Sequence, residues 1–188
     1  MVHYKLMCFD VRGLGEVIRQ LFYLGDVSFE DFRVSREEFK SLKSNLPSGQ
    51  LPVLEIDGVM ISQSASIGRF LARQYGYSGK TPTEEMQVDS IIDLFKDFML
   101  TFRQFFFAVI HGYPEYEKER MKRDIVKPAI KNYFIALNKI LLRSKSGFLV
   151  GDDLTWADLQ IADNLSTLIN IRLFAEKEPH LNVFIRKL

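Results

Sequence analysis

The apolar positions of this chain keep changing period up to residue 76 and hold one period from Thr81 onward. "YKLMCF" at residues 4–9 reads as an apolar strand. A helix follows in which Leu14, Val17, Ile18, Leu21 and Phe22 share one face, closed by Gly25. After a short strand around "VSFEDFRV", "SREE" supplies a capping box, with Ser35 at the N-cap and Glu38 three residues on. Phe39 and Leu42 fall within that second, short helix. "LPVLEIDGVMIS" predicts two strands around Asp57-Gly58, a dipeptide with ready access to positive φ that suits a two-residue hairpin. The helix "SASIGRFLARQYG" then buries Ile67, Phe70 and Leu71 and ends at Gly76. The order β-α-β-α-β-β-α predicts a small mixed sheet with helices packed on it.

After a polar link at "GYSGK" everything reads as helix, which sets a domain boundary: residues 1–78 form a mixed α/β domain and residues 82–188 an all-helical one. Thr81 as N-cap, Pro82 at the first helical position and Glu84 completing the box start the first helix. Met86, Ile92, Phe95, Met99, Phe102 and Phe106 carry an apolar stripe to about Ile110. A second long helix spans residues 116–143, with a kink predicted at Pro128. Thr155 and Asp158 in "GDDLTWADLQIA" form a capping pair before a buried helix.

Composition narrows the function classes. With 25 Lys and Arg against 24 Asp and Glu, and no basic tract interleaved with aromatics, nothing suggests a polyanion partner, so nucleic-acid binding is disfavoured. The single cysteine forms no internal disulfide and the N-terminus lacks the apolar core of a secretory signal, which fits a cytoplasmic protein. No apolar run reaches the ~18 residues of a membrane span. His3, His111 and His180 lie far apart without metal-ligand spacing, so no metal site is expected.

Several residues are candidates for chemistry. Cys8 is either a reaction-centre thiol or a small buried apolar side chain. Pro52 marks a strand start and a candidate cis bond that exposes the amide and carbonyl of Leu51 to an extended peptide. Gln63, Ser64 and Ser66 lie at a helix N-terminus suited to an anion, unless Ser62 or Ser64 simply caps it. Lys43 either pairs with a carboxylate or faces solvent. Asp93 and Asp97, one helical turn apart, serve acid-base work or a polar edge that faces solvent or another subunit. "FRQFFFAVI" fills the core or walls an apolar ligand pocket. "RGLGE" lacks the spacing and lysine of a phosphate loop.

"YKL" entering "RGLGEVIRQL", "GQLPVLEIDG", "QSASIGRFLAR" and "FLVGDDLTWADLQIAD" together resemble the cytosolic glutathione S-transferases, most closely the sigma-like group that includes many nematode enzymes. The resemblance covers the whole chain. It implies a thioredoxin-like N-terminal domain that binds glutathione and an all-helical C-terminal domain that supplies most of the electrophile pocket. It also implies a cytoplasmic homodimer that joins reduced glutathione to small hydrophobic electrophiles in detoxification. By the same resemblance Gln50, Leu51 and Pro52 hold the cysteinyl part of glutathione, Gln63 and Ser64 its γ-glutamyl end and Lys43 its glycyl carboxylate, with Gly49 and Cys8 also at the glutathione site. Phe39 stands where relatives place a tryptophan, and Asp97 matches the acidic residue that reaches the glutathione of a neighbouring subunit.

Three departures from the family pattern matter. Cys8 stands in place of a tyrosine whose hydroxyl hydrogen-bonds the glutathione sulfur and favours its thiolate, and cysteine is a weaker, shorter donor. Tyr4 is four positions back and is not expected to reach the sulfur. Leu14 replaces an arginine or a small residue, and relatives continue with another helix beyond "HLNVFIRKL". Three readings follow: a weak transferase, a non-catalytic carrier of glutathione or apolar ligands, and a covalent role for Cys8. The last is disfavoured because Cys8 ends a strand rather than starting a helix.

Overall fold

The computed structural model describes residues 2–170 and residue 184. The chain forms two compact units, Met1–Ser78 and Gly79–Leu188. In the first, strands β1 (Tyr4–Phe9), β2 (Glu30–Val34), β3 (Val53–Ile56) and β4 (Val59–Ser62) alternate with helices α1 (Glu16–Leu24), α2 (Arg36–Leu42) and α3 (Ser64–Tyr75). The sheet order is β2-β1-β3-β4. β2 runs parallel to β1, whereas β3 and β4 are antiparallel to their neighbours. β1 is therefore central, and alternate side chains pack on opposite faces. Tyr4 meets Phe22 of α1 with ring centroids 5.2 Å apart, while Phe9 meets Phe39 of α2 at 5.0 Å. Met7, Val34, Leu46 and Val53 form the core beneath α2.

The hairpin and the second helix form as the sequence predicts. Asp57 and Gly58 take φ of 48° and 87°, both positive as a two-residue turn of this hand requires. The Ser35–Glu38 capping box is complete in both directions. The first helix differs: Leu14 lies in a 3-10 turn (Gly13–Gly15) and is 38% exposed, because α1 begins only at Glu16. Gly25 does close α1, but with a right-handed φ of −81°, and the left-handed step falls on Asp26. Gly25 lacks a side chain for a different reason: a Cβ there would lie 2.7 Å from the Tyr75 ring. On α3, Ile67, Gly68, Leu71 and Ala72 are buried, whereas Phe70 is exposed because it lies off that stripe.

In the second unit α4 (Pro82–Ile110), α5 (Glu115–Met121), α6 (Lys127–Leu141) and α7 (Trp156–Asn170) follow. Thr81 caps α4 by accepting from the Glu84 amide. The Glu84 carboxylate reaches the Lys80 amide, one residue beyond the expected partner. The buried stripe of α4 is Val88, Ile91, Ile92, Phe95, Phe98 and Phe102, while Met86 and Phe106 are exposed. Phe98 stacks on Tyr133 of α6 with centroids 4.5 Å apart and planes 3° from parallel. Of "FRQFFFAVI", Phe102 and Ala108 are core, and Phe106, Phe107, Val109 and Ile110 are exposed.

The single long helix predicted over 116–143 is broken into α5 and α6 by a π-helical turn, Lys122–Val126. Pro128 explains it. The ring has no N–H for the carbonyl of Asp124 and would strike it in a regular helix, and a widened turn moves that carbonyl away. His180 and the stretch after it, Phe184 apart, lie outside the described residues, and with them any reading of the chain's final segment.

Candidate functional site

A small cleft in the first unit is lined by Leu14, Ser48, Gln50, Leu51, Pro52, Gln63 and Ser64. The turn before β3 builds one wall. Gly49 has φ +60°, and the stem of Lys43 lies 3.6 Å from where its Cβ would stand. The Leu51–Pro52 bond is cis. Strand pairing begins only at Val53, so the amide and carbonyl of Leu51 stay outside the ladder. The Leu51 side chain packs with Phe39 against the core beneath α2.

The other wall is the start of α3. Gln63 is its N-cap, with φ 79° and ψ 103°, and no side chain caps the helix. Neither Ser62 nor Ser64 takes that role. A non-glycine residue in this region costs about 1–3 kcal/mol and persists only where its surroundings enforce it, as they do at ligand clamps. The first N–H groups of α3 are thus left open beside the Gln63 and Ser64 side chains, with the positive end of the helix dipole behind them. A carboxylate fits that cradle, and an extended peptide backbone fits the free amide and carbonyl of Leu51.

Cys8 faces elsewhere. Its side chain is 5% exposed, and a Cβ on Gly15, the N-cap of α1, would lie 2.1 Å from its sulfur. The thiol therefore does touch a helix N-terminus, although six residues lie between the two in sequence. Burial pushes the Cys8 pKa up, more than the neighbouring Arg19 guanidinium pulls it down. The Tyr4 hydroxyl is engaged with Gln74 of α3, with Gln74 Nε2 donating at 3.1 Å.

Behind the Gly13–Gly15 turn, Arg19 is 4% exposed. Its Nε lies 3.1 Å from both oxygens of Asp31, and its Nη1 lies 3.0 Å from Glu16. Asp31 also accepts from Arg33, at 2.7 Å. Sequence periodicity missed both Arg19 and Ser48. An arginine inside the apolar run "VIRQLF" was the available signal for the first, and a serine in a turn offered none for the second.

In the second unit Asp93 and Asp97 share an open face of α4 with Met86, Asp89, Ser90 and Leu94. Lys96 pairs with Asp93 at 3.3 Å. The Thr155–Asp158 pair is inverted relative to a simple cap. Asp158 is fully buried and accepts from the Thr155 amide at 2.8 Å, the Thr155 hydroxyl at 2.7 Å and the Leu149 amide at 2.8 Å. Among the described residues, no three His, Cys, Asp or Glu side chains gather as metal ligands, and no helix is long and apolar enough to cross a membrane.

Known proteins match both units. Residues 4–73 match the glutathione S-transferase N-terminal domain and residues 96–188 the glutathione S-transferase C-terminal domain. Glutathione S-transferase 3 of Caenorhabditis elegans is 50% identical across all of this chain and 91% of its own length. A monomeric glutathione S-transferase of the hookworm Necator americanus, Na-GST-3, superposes with a TM-score of 0.88 at 42% identity, over 98% of this chain and 90% of that one. A Nu-class enzyme from Haemonchus contortus gives 0.88 at 42% identity, over 100% of this chain and 91% of that one. With a four-stranded glutathione-transferase sheet followed by a helical unit, and with relatives this similar, the chain is a transferase of the glutathione S-transferase family.

Proposed function

We propose that the cleft of the first unit binds reduced glutathione and that the chain joins the glutathione thiol to small hydrophobic electrophiles, with weak activation of the sulfur. The uncapped start of α3, with Gln63 held at φ 79°, carries this reading. Gln63 and Ser64 take the γ-glutamyl end against the helix N-terminus. Gln50, Leu51 and Pro52 pair with the cysteinyl backbone, and Lys43, whose stem lies along Gly49, faces the glycyl carboxylate. Phe39 packs against the same core as Leu51. Conjugation forms a bond from sulfur to the electrophile as the thiol proton leaves, so groups that favour the thiolate raise the rate. A missing donor at such a position costs about 10² to 10³ in rate.

Asp97 of a second copy completes the γ-glutamyl site in this reading, which requires a homodimer. The open acidic face of α4 supports it. The same motifs favour the sigma-like group, a cytoplasmic location and a role in detoxification. One observation favours the second reading, a glutathione carrier: Cys8 is turned toward Gly15 and burial keeps it protonated.

Calorimetric titration with reduced glutathione tests the site. Saturable binding is expected, weakened at least tenfold in Gln63→Gly, and a wild-type chain that takes up no glutathione refutes the proposal. Conjugation above the solution rate selects the transferase, and binding without it selects the carrier.

A further inference from the structure

Arg19 has one nitrogen unaccounted for. Nε and Nη1 are taken by Asp31 and Glu16, and Nη1 also leans on the carbonyls of Arg12 and Val11 at 3.4 and 3.5 Å. Nη2 is buried and makes no hydrogen bond to an oxygen or nitrogen; the polar group that Arg19 faces there is the Cys8 thiol. A buried donor left open is costly, so the guanidinium is held there by the rest of its contacts. The open nitrogen lies 3.4 Å from the place a Gly15 Cβ would occupy, and the Cys8 sulfur crowds that same place at 2.1 Å. Guanidinium, thiol and turn thus share one closed spot. Leu14, the middle residue of that turn, lines the cleft on its other side.

We propose that Arg19 is the positioning residue for the sulfur end of the cleft, acting through the Gly13–Gly15 turn that it ties down and through Cys8, which it faces. The proposal rests on the reading of the cleft as a glutathione site. The ends of the peptide are held elsewhere, by Gln63 and Ser64 and by Gln50 and Leu51, so loss of Arg19 leaves affinity and disturbs the geometry of the thiol. Charge alone is not the agent, because Asp31 and Glu16 already pair with the guanidinium and Asp31 is shared with Arg33. The fork shape is, since it reaches Asp31, Glu16 and the Arg12 carbonyl at once and an ammonium cannot.

The test is Arg19→Gln and Arg19→Lys in the full chain, each first shown to be folded by thermal unfolding. Three quantities are read: kcat and KM for glutathione, the ionisation of bound glutathione by thiolate absorbance, and the alkylation rate of Cys8 without glutathione. Both variants are expected to lose about 10- to 100-fold in kcat, the cost of a displacement near 1 Å, with KM for glutathione within about threefold. The bound thiol titrates higher and Cys8 is alkylated faster. Wild-type values for all three overturn the proposal. Faster alkylation with kcat and bound-thiol ionisation unmoved also overturns it, leaving Arg19 purely structural.

Should Arg19→Gln not fold, Glu16→Gln removes one arm of the clamp at its more exposed edge. It is expected to move the same readouts the same way, and unchanged readouts overturn the proposal. A wild-type chain that binds glutathione without turnover defeats the transferase reading while bound-thiol ionisation still reports on Arg19. A chain that binds no glutathione defeats both, because no sulfur end then exists to position.

Discussion

Burial of the Cys8 sulfur against Gly15 and Arg19 sets how this thiol titrates. Its folded pKa is raised, chiefly by desolvation, so the unfolded chain releases the proton first as pH climbs. The stability that Cys8 contributes is therefore complete below the ordinary thiol pKa and is lost as pH rises through the folded value. Cys8→Ala should flatten the alkaline arm of a stability-against-pH curve and leave its neutral part unsloped. At the same spot, Gly15→Ala places a Cβ 2.1 Å from the sulfur and should destabilise by about 1–3 kcal/mol in urea unfolding. Cys8→Ala in that background should recover part of the loss, because the two sites share one space. At Gln63 the direction reverses: Gln63→Gly relieves the positive φ, so the chain should be as stable or more stable while glutathione binding falls.

Helices and strands show which signals a sequence carries. Capping residues were legible because they act over three or four positions, as Ser35 and Glu38 do. The cleft was legible too: Gln50, Leu51, Pro52, Gln63 and Ser64 all converge on it. Apolar identity was a poorer guide to burial, since Phe70, Met86 and Phe106 are exposed within the chain taken singly. The role of Arg19 could not be read: a cation inside the apolar run of α1 marks the residue, but its partner Asp31 comes from a neighbouring strand. Nor could the inverted cap of α7, whose third donor is the amide of Leu149, nine residues away. That cap has a measurable consequence: Asp158→Asn turns an amide NH2 toward a buried donor and should cost about 2–3 kcal/mol in denaturant unfolding, with glutathione affinity unchanged.

The exposed apolar residues gain meaning for the whole molecule. Val59, Met60 and Ile61 lie on the open edge strand β4, and Phe70 is exposed on α3 of the same unit. Edge strands of this composition associate unless something covers them. If a second copy does, Phe70→Glu should shift the chain from dimer to monomer in sedimentation without lowering its unfolding temperature. A chain that is monomeric before the substitution removes Asp97 from the glutathione site. Elsewhere the π-helical turn between α5 and α6 bears on the molecule's tolerance of changes in length. Insertion or deletion inside a regular helix rotates all that follows by about 100° per residue. The wide turn at Lys122–Val126 already accommodates one residue more than an α-helical turn holds. Shortening the chain by one residue there, together with Pro128→Ala so that no ring strikes the preceding turn, would let a plain helix form with Tyr133 still against Phe98, so the helical unit has a place where it can lose a residue without moving the core.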